Sequence, residues 1–377
     1  MLNHIAIKNY RCFEDFSFSF DSDTHAMLLL GGNGSGKTSL ADALELFQKI
    51  GRGEGRVDRL ITQEQQWNTG QPIELKITVT LGETRYTYGL ALEPHLYQEW
   101  GVLSEELICD DNVIYRRKDE DIFFHQENET FFSYNWRVLF LPTFSDHNPM
   151  IQDQVDAFRA WLANILILSP YPKLFREEFS TSARWPSRDC ADCASWLNHL
   201  LTLHPKSYST IENYLQGVWH DFHTIINEQV GSQNKRLKLE FKEDSPKHKA
   251  TYSPTLNLLS DGEKSLFLSA VVIAAHDATP SPFCFWDEPD SFLSLPETAQ
   301  FIRAMRSVFS TRGQLLVTSH NQEVINAFTE STTWIIGRES HLSPVKPLKR
   351  ISDIRGSDIL PKKASLIHAL IAGEIRP

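Results

Sequence analysis

The sequence has little that would carry it across a membrane. Its longest apolar runs, such as Leu266 to Ala275, fall short of the roughly 20 residues a bilayer-spanning helix needs, and this one ends in His276-Asp277. The start, MLNHIAIKNYRCF, shows no charged segment followed by an apolar stretch, so no secretory leader is expected. Cysteine is scarce and odd in number, five in all, which argues against a disulfide framework. Cytoplasmic residence with reduced thiols is the expectation. Basic residues are outnumbered, 37 Lys and Arg against 48 Asp and Glu, for a net charge of -11. A whole-surface nucleic-acid binder is excluded on that balance, and any nucleic-acid contact would have to be local. The short basic clusters Arg116-Arg117-Lys118, Lys235-Arg236, Lys247-His248-Lys249 and Lys362-Lys363 read as solvated loops or strand ends. Internal repeats, low-complexity tracts and long heptad arrays are also lacking.

One cysteine pair, Cys190-Ala-Asp-Cys193, is followed by His199 and His204. The segment CADCASWLNHLLTLH has no Gly or Pro and reads as one helix. At about 100° per residue His199 then lies on the face opposite Cys190, so the two cannot share a zinc ion. Structural cysteines are the expectation.

What is present alternates between two periods. His4–Lys8 and Phe16–Phe20 alternate apolar and polar, the pattern of half-buried strands, and Ala26–Leu30 is continuously apolar, as a central strand should be. Strands at Ile73–Leu81 and Tyr86–Leu92 are joined by a hairpin at 82–85. From about Gln152 the spacing turns helical, over Phe158–Ile167, Cys193–Leu203 and Ile211–Val230. After Gly231 come strand candidates Leu237–Phe241 and Thr251–Leu256. A helix from Asp261, a strand Phe283–Trp286, a helix Pro296–Phe309, a strand Gln314–Val317, a helix Gln322–Phe328 and a strand Thr333–Ile336 follow. Strand and helix in alternation imply a parallel sheet covered on both faces. The expected division is 1–151, 152–230 as an inserted helical lobe, and 231–377.

Three stretches carry chemistry. Gly31-Gly-Asn-Gly-Ser-Gly36-Lys37-Thr38 matches G-x-x-x-x-G-K-[ST] between a buried strand and a helix. Its glycines let backbone N–H groups curl around a phosphate chain, Lys37 reaches the β- and γ-phosphates, and Thr38 ligates Mg²⁺. Asn33, Gly34, Ser35, Gly36, Lys37, Thr38 and Ser39 are therefore the expected residues around the nucleotide phosphates. Phe283-Cys-Phe-Trp-Asp287-Glu288 is an apolar strand tipped by two acids, suited to Mg²⁺ (Asp287) and to polarising a water for in-line attack (Glu288). Gln314-Leu-Leu-Val-Thr-Ser-His320 is a second apolar strand, tipped by histidine, one strand–helix–strand unit later.

This combination resembles the ATP-binding-cassette (ABC) ATPases, in the branch holding SMC proteins, RecF and the OLD-like ATPases. The resemblance implies an α/β P-loop ATPase head: a mixed, largely parallel sheet flanked by helices, an antiparallel β subdomain and an inserted helical lobe. It assigns Glu288, His320 and Lys37 as catalytic, and Leu259-Ser260-Asp261-Gly262-Glu263 as a signature whose Ser260, Gly262 and Glu263 contact the nucleotide of a second protomer. Ile5-Ala-Ile-Lys-Asn9-Tyr10-Arg11 looks like the family's first strand, where Arg11 would approach the nucleotide, and Gln152 stands where a metal-contacting glutamine is sought. Asp287-Glu-Pro-Asp290 is closer to the OLD-like and PtuA-like phage-defence ATPases than to SMC proteins. No SMC arm interrupts the middle, and the stretch after His320 is too short for a Toprim-type nuclease. The implied function is an ATP-hydrolysing homodimer, with higher assembly open, that governs a separate effector such as a nuclease. The alternative is a RecF-like DNA clamp in repair. A transporter ATPase fits the N-terminal strands and the insertion poorly.

Overall fold

The computed structural model describes residues 1–95, 99–124, 131–244, 249–279 and 281–355. The chain divides into two compact units, residues 1–166 with the chain from 329, and residues 167–328. These lines differ from the three segments expected, which broke at 151 and 230. Most of the Lys247-His248-Lys249 cluster and all of Lys362-Lys363 lie outside the described residues.

The first unit is built on an antiparallel sheet of eight strands, in the order Phe13–Ser19, Leu2–Tyr10, Ile73–Leu81, Thr84–Pro94, Trp100–Cys109, Asn112–Lys118, Asp121–Phe124 and Phe131–Ser133. Register follows the alternation: Ile5 pairs with Phe18 on one side and Ile77 on the other, all three buried. A one-residue slip would turn that apolar face to water. Helix Pro149–Ala163 brings Phe158 onto Tyr86 and Tyr88, with ring centroids 5.5 and 6.0 Å apart. Helix Lys37–Gly51 packs beside it, where a Cβ on Gly51 would lie 2.5 Å from Ala163 N. Glycine is what lets the two helices approach.

Glu105 is 1% exposed yet satisfied. Its carboxylate accepts from the hydroxyls of Tyr88 and Tyr115 and from the amides of Phe140 and Leu141, with the Arg117 guanidinium 3.9 Å away. Burial, then the Glu105 charge, pushes both phenols well above their usual range. Arg117 in turn donates to the carbonyls of Asp119, Asn135 and Val138. A charge this deep is tolerable only with every lone pair engaged. Also in this unit, Ala26–Leu30 pairs in parallel with Thr333–Ile335, which pairs antiparallel with Lys349–Arg350.

In the second unit, Cys284–Asp287 and Leu315–Thr318 run parallel, with Asp287 opposite Thr318. Helix Leu295–Phe309 covers the first strand, with Phe301 edge-on to Trp286 at 5.2 Å. Helix Asp261–Ala278 is buried at every position from Lys264 to His276, so it is a core helix rather than an amphipathic one. The parallel pairs and the covering helices agree with the expected α/β class.

Four local expectations are corrected. Residues 211–230 are not one helix: the helix Ser207–Val218 ends, and Phe222–Val230 is a strand paired with Asn234–Asp244. Thr224, Ile225 and Ile226 are β-branched and suit a pleated surface, and Gly231 supplies the turn at φ +65°. The helix expected through Ile167 stops at Ala163, and Leu166–Leu168 is a short buried strand. The strand expected at Thr251–Leu256 runs instead over Lys249–Tyr252, before a 3₁₀ turn at Leu256–Leu258. The helix read from Cys190 begins only at Cys193. Cys190 sits before it at φ +57°, in a turn where Asp189 and Asp192 accept from nearby backbone amides.

Candidate functional site

The phosphate loop follows from the buried strand Ala26–Leu30. Gly34 and Gly36 adopt φ of +73° and +113°, a region that costs a residue with a Cβ about 1 kcal/mol or more. A Cβ on Gly31 would sit 2.3 Å from the Ile336 carbonyl and 2.6 Å from Ser35 Oγ, whereas one on Gly32 would meet nothing within 4 Å. One side of the loop is thus pressed against the fold and the other faces open space. Gly32, Asn33, Gly34 and Thr38 are exposed, Ser39 is half-buried, and Ser35 and Lys37 are buried. The Lys37 ammonium folds back onto the loop and donates to the carbonyls of Gly31 (2.6 Å) and Gly32 (3.2 Å). Ser35 Oγ is buried without a hydrogen-bond partner. A cradle lined by amides, a cation and an orphaned hydroxyl, with the N-terminus of Lys37–Gly51 behind it, fits a phosphate chain.

Arg11 is held by a left-handed turn. Asn9 and Arg11 have φ of 52° and 51°. Asn9 Nδ2 donates to the carbonyls of Asn68 and Gln71, and Arg11 N to Gln65 O. The guanidinium pairs with Asp42 at 3.0 Å, one helical turn past Thr38. Gln152 has its amide engaged locally: Oε1 accepts from Asp146 N and Nε2 donates to Asp156.

In the second unit, Ser260 caps the core helix. Its hydroxyl accepts from Glu263 N (3.3 Å) while the Glu263 carboxylate accepts from Ser260 N (2.7 Å), a reciprocal capping box. Ser260 stays exposed, and the Glu263 side chain serves the cap. Gly262 lets the helix start lie against the turn after Asp287-Glu288, since a Cβ there would be 2.9 Å from Phe292 O.

The strand tips come together as their parallel register requires. Thr318 Oγ1 donates to Asp287 Oδ1 and accepts from Glu288 N at 3.0 Å. Glu288 has φ +45°, and its carboxylate lies 3.8 Å from His320 Nε2, an ion pair when the ring is protonated. Ser291 Oγ donates to the other Glu288 oxygen. Asp290, 9% exposed, has one oxygen without a partner. Burial pushes its carboxyl up, and a bond from Ser319 pulls it down. Among the described residues no three His, Cys, Asp or Glu side chains converge as a metal cage. A lone Asp287 still suits Mg²⁺, which keeps waters and takes one or two carboxylates beside substrate phosphates.

The sequence singled out Asp287, Glu288 and His320 but not Thr318, which binds both acids. Its signal was available: in a parallel pair, the residue two before His320 falls level with Asp287. Asp290 entered only as part of a motif, and its burial has no signature in the sequence.

Comparison with known proteins places these groups in context. The model of the RecF/RecN/SMC N-terminal domain matches residues 1–341. Curated relatives are chromosome partition proteins Smc. That of Fusobacterium nucleatum is 27% identical over 163 residues, 40% of this chain and 13% of its own length. That of Methanococcus voltae is 33% identical over 132 residues, 32% of this chain and 10% of its own length. The chain thus spans a small fraction of the Smc proteins it matches. In fold it is similar to an Smc head crystallised with the C-terminal winged-helix domain of ScpA, with a TM-score of 0.59, 13% identity, and coverage of 94% of this chain and 99% of that one. With a glycine cradle on one unit, tipped acidic strands on the other and a family match that takes in both, this chain belongs to the RecF/RecN/SMC N-terminal domain family.

Proposed function

We propose that this protein binds and hydrolyses ATP with Mg²⁺ as a homodimer closed around nucleotide, and that the cycle governs a separate effector, a nuclease, in anti-phage defence. The observation that carries the ATP reading is the phosphate loop, with its orphaned Ser35 hydroxyl and a Lys37 ammonium that donates to the carbonyls of Gly31 and Gly32. Phosphate oxygens are stronger acceptors than those carbonyls and would draw Lys37 outward. Thr38 and, separately, Asp287 have the oxygen ligands suited to Mg²⁺, which would supply neutralisation of charge on the transferred phosphoryl group. Glu288 would take the proton of the attacking water, with His320 and Ser291 fixing its carboxylate. Arg11, through Asp42, would orient the first turns of the loop helix.

The exposed Ser260 at the start of the helix Asp261–Ala278 supports the second half of the reading: it would receive the γ-phosphate bound by the other protomer. The Asp287-Glu-Pro-Asp290 segment and the net charge of -11 favour the effector-governing, OLD-like role over a DNA clamp. Exposed Tyr171, Leu174 and Leu203 give the segment 152–230 apolar surface for an effector. A second docking region is proposed after Ser343, most of which lies outside the described residues. The test is nucleotide binding and DNA binding side by side. Wild-type protein binds ATP and Lys37→Ala does not. DNA affinity that falls by orders of magnitude with salt would instead favour the clamp.

A further inference from the structure

The chain that leaves the strand Thr333–Ile335 returns over the phosphate loop and is pinned there at both ends. At the start, Ile336 N donates to Leu30 O at 2.8 Å, and its carbonyl occupies the space a Gly31 side chain would need. At the end, Val345 N donates to Cys12 O at 3.0 Å, and Val345 Cγ2 comes within 2.9 Å of where a Gly36 Cβ would stand. Lys346 N closes the excursion by donating to Gly337 O at 2.9 Å. Two nitrogen-bearing side chains of this closed loop reach the tip of the phosphate loop. Arg338 Nη2 and His341 Nε2 each lie 3.4 Å from the Cβ position of Gly34, the exposed glycine at φ +73°.

We propose that Arg338 and His341 are nucleotide-binding residues, a second set of donors, beside Lys37, that grips the phosphate chain of a nucleoside triphosphate at the Gly34 tip of the loop. This rests on the ATP reading above. Three observations carry it. Arg338's hydrogen-bond partner among the described residues is a neutral carbonyl, His341 O at 3.4 Å, whereas Arg11 is already neutralised by Asp42. The remaining charges of the loop compensate each other, Lys346 pairing with Glu339 at 3.0 Å. Leu342, 90% exposed, shows that the crest of the loop is not held by packing. A guanidinium kept beside an amide-lined phosphate cradle, its fork free of carboxylate, is placed for a bidentate contact with phosphate oxygens.

The experiment measures the dissociation constants of Mg-ATP and of adenosine for full-length wild type, Arg338→Ala, Arg338→Lys and His341→Ala, with nucleotide-free melting recorded for each. Loss of one charge-assisted contact should weaken ATP binding about tenfold for Arg338→Ala and several-fold for His341→Ala. Arg338→Lys should fall between, adenosine binding should be unchanged, and nucleotide-free melting should stay at the wild-type temperature. Unchanged ATP affinity overturns the assignment, as does an equal loss for ATP and adenosine. So does a loss that tracks a lowered nucleotide-free melting point in both Arg338 variants, which would make the loop a prop. If wild type binds no ATP, the ATP reading falls and this one with it; if wild type binds and the variants match it, only this one falls.

Discussion

Glu288 is the one residue at the strand tips whose backbone is visibly strained. A glutamate at φ +45° costs about 1 kcal/mol or more over glycine, and here two bonds from its amide to Thr318 hold it. Glu288→Gln keeps the backbone and should leave ATP binding intact while lowering turnover by roughly 10²–10⁴. Glu288→Gly should also lose turnover, yet raise stability by about 1 kcal/mol. Steady-state phosphate release and thermal melting measured together check the pair. An active Glu288→Gln would remove Glu288 from the role of base.

His276 gives a pH effect with a definite sign. It is 2% exposed, its ring lies 4.0 Å from that of Phe309, and Nδ1 accepts from Ser281 N. Burial lowers its pKa from 6.5 to about 4. Between those values the unfolded chain binds a proton that the folded one refuses. Its contribution is therefore full above pH 6.5 and is lost as pH falls towards about 4, a loss of roughly 3 kcal/mol. His276→Phe should flatten the stability profile over that window when denaturation midpoints are compared, at some cost at neutral pH for the orphaned Ser281 amide. Residue-level features of this kind were only partly legible. The loop Gly31–Thr38 is local, so its spacing disclosed it, but Asp290's burial and Arg338's reach across to Gly34 arise from contacts between distant stretches of chain.

At the scale of elements, the capping box at Ser260 has two separable jobs. Ser260→Ala removes the hydroxyl that binds Glu263 N and should cost about 1 kcal/mol. Ser260→Asp keeps a capping acceptor, and so should melt like wild type, but sets a negative charge where the proposed γ-phosphate arrives. Abolished hydrolysis with retained stability in Ser260→Asp would separate the catalytic from the structural role. Wild-type turnover in that variant would count against the composite site. Elements with strong local punctuation were legible, as in the hairpin at 82–85 and the helix from Asp261. The strand Phe222–Val230 was not, because its burial pattern is shallow and its partner Asn234–Asp244 decides its state.

At the scale of the whole molecule, the proposal is a head-to-tail dimer with two shared nucleotide sites. Sizing of Glu288→Gln protein should show a monomer without ATP and a dimer with it; identical monomeric profiles would sink the model. Mixing Ser260→Arg with Lys37→Ala protein leaves heterodimers one site free of both lesions, so part of the turnover should return.

The pairing of Ala26–Leu30 with Thr333–Ile335 has a consequence for synthesis on the ribosome. At ~5–20 residues per second, the strand that feeds the phosphate loop waits on the order of 15–60 s for this neighbour to be made. Ile336, whose carbonyl backs Gly31, arrives later still. Until then the nascent chain carries the apolar run Ala26–Leu30 without this partner, a stretch open to aggregation. Occupancy by nucleotide would then follow the synthesis of the strand Thr333–Ile335, so that ligand capture reports the arrival of a segment about 300 residues further along the chain.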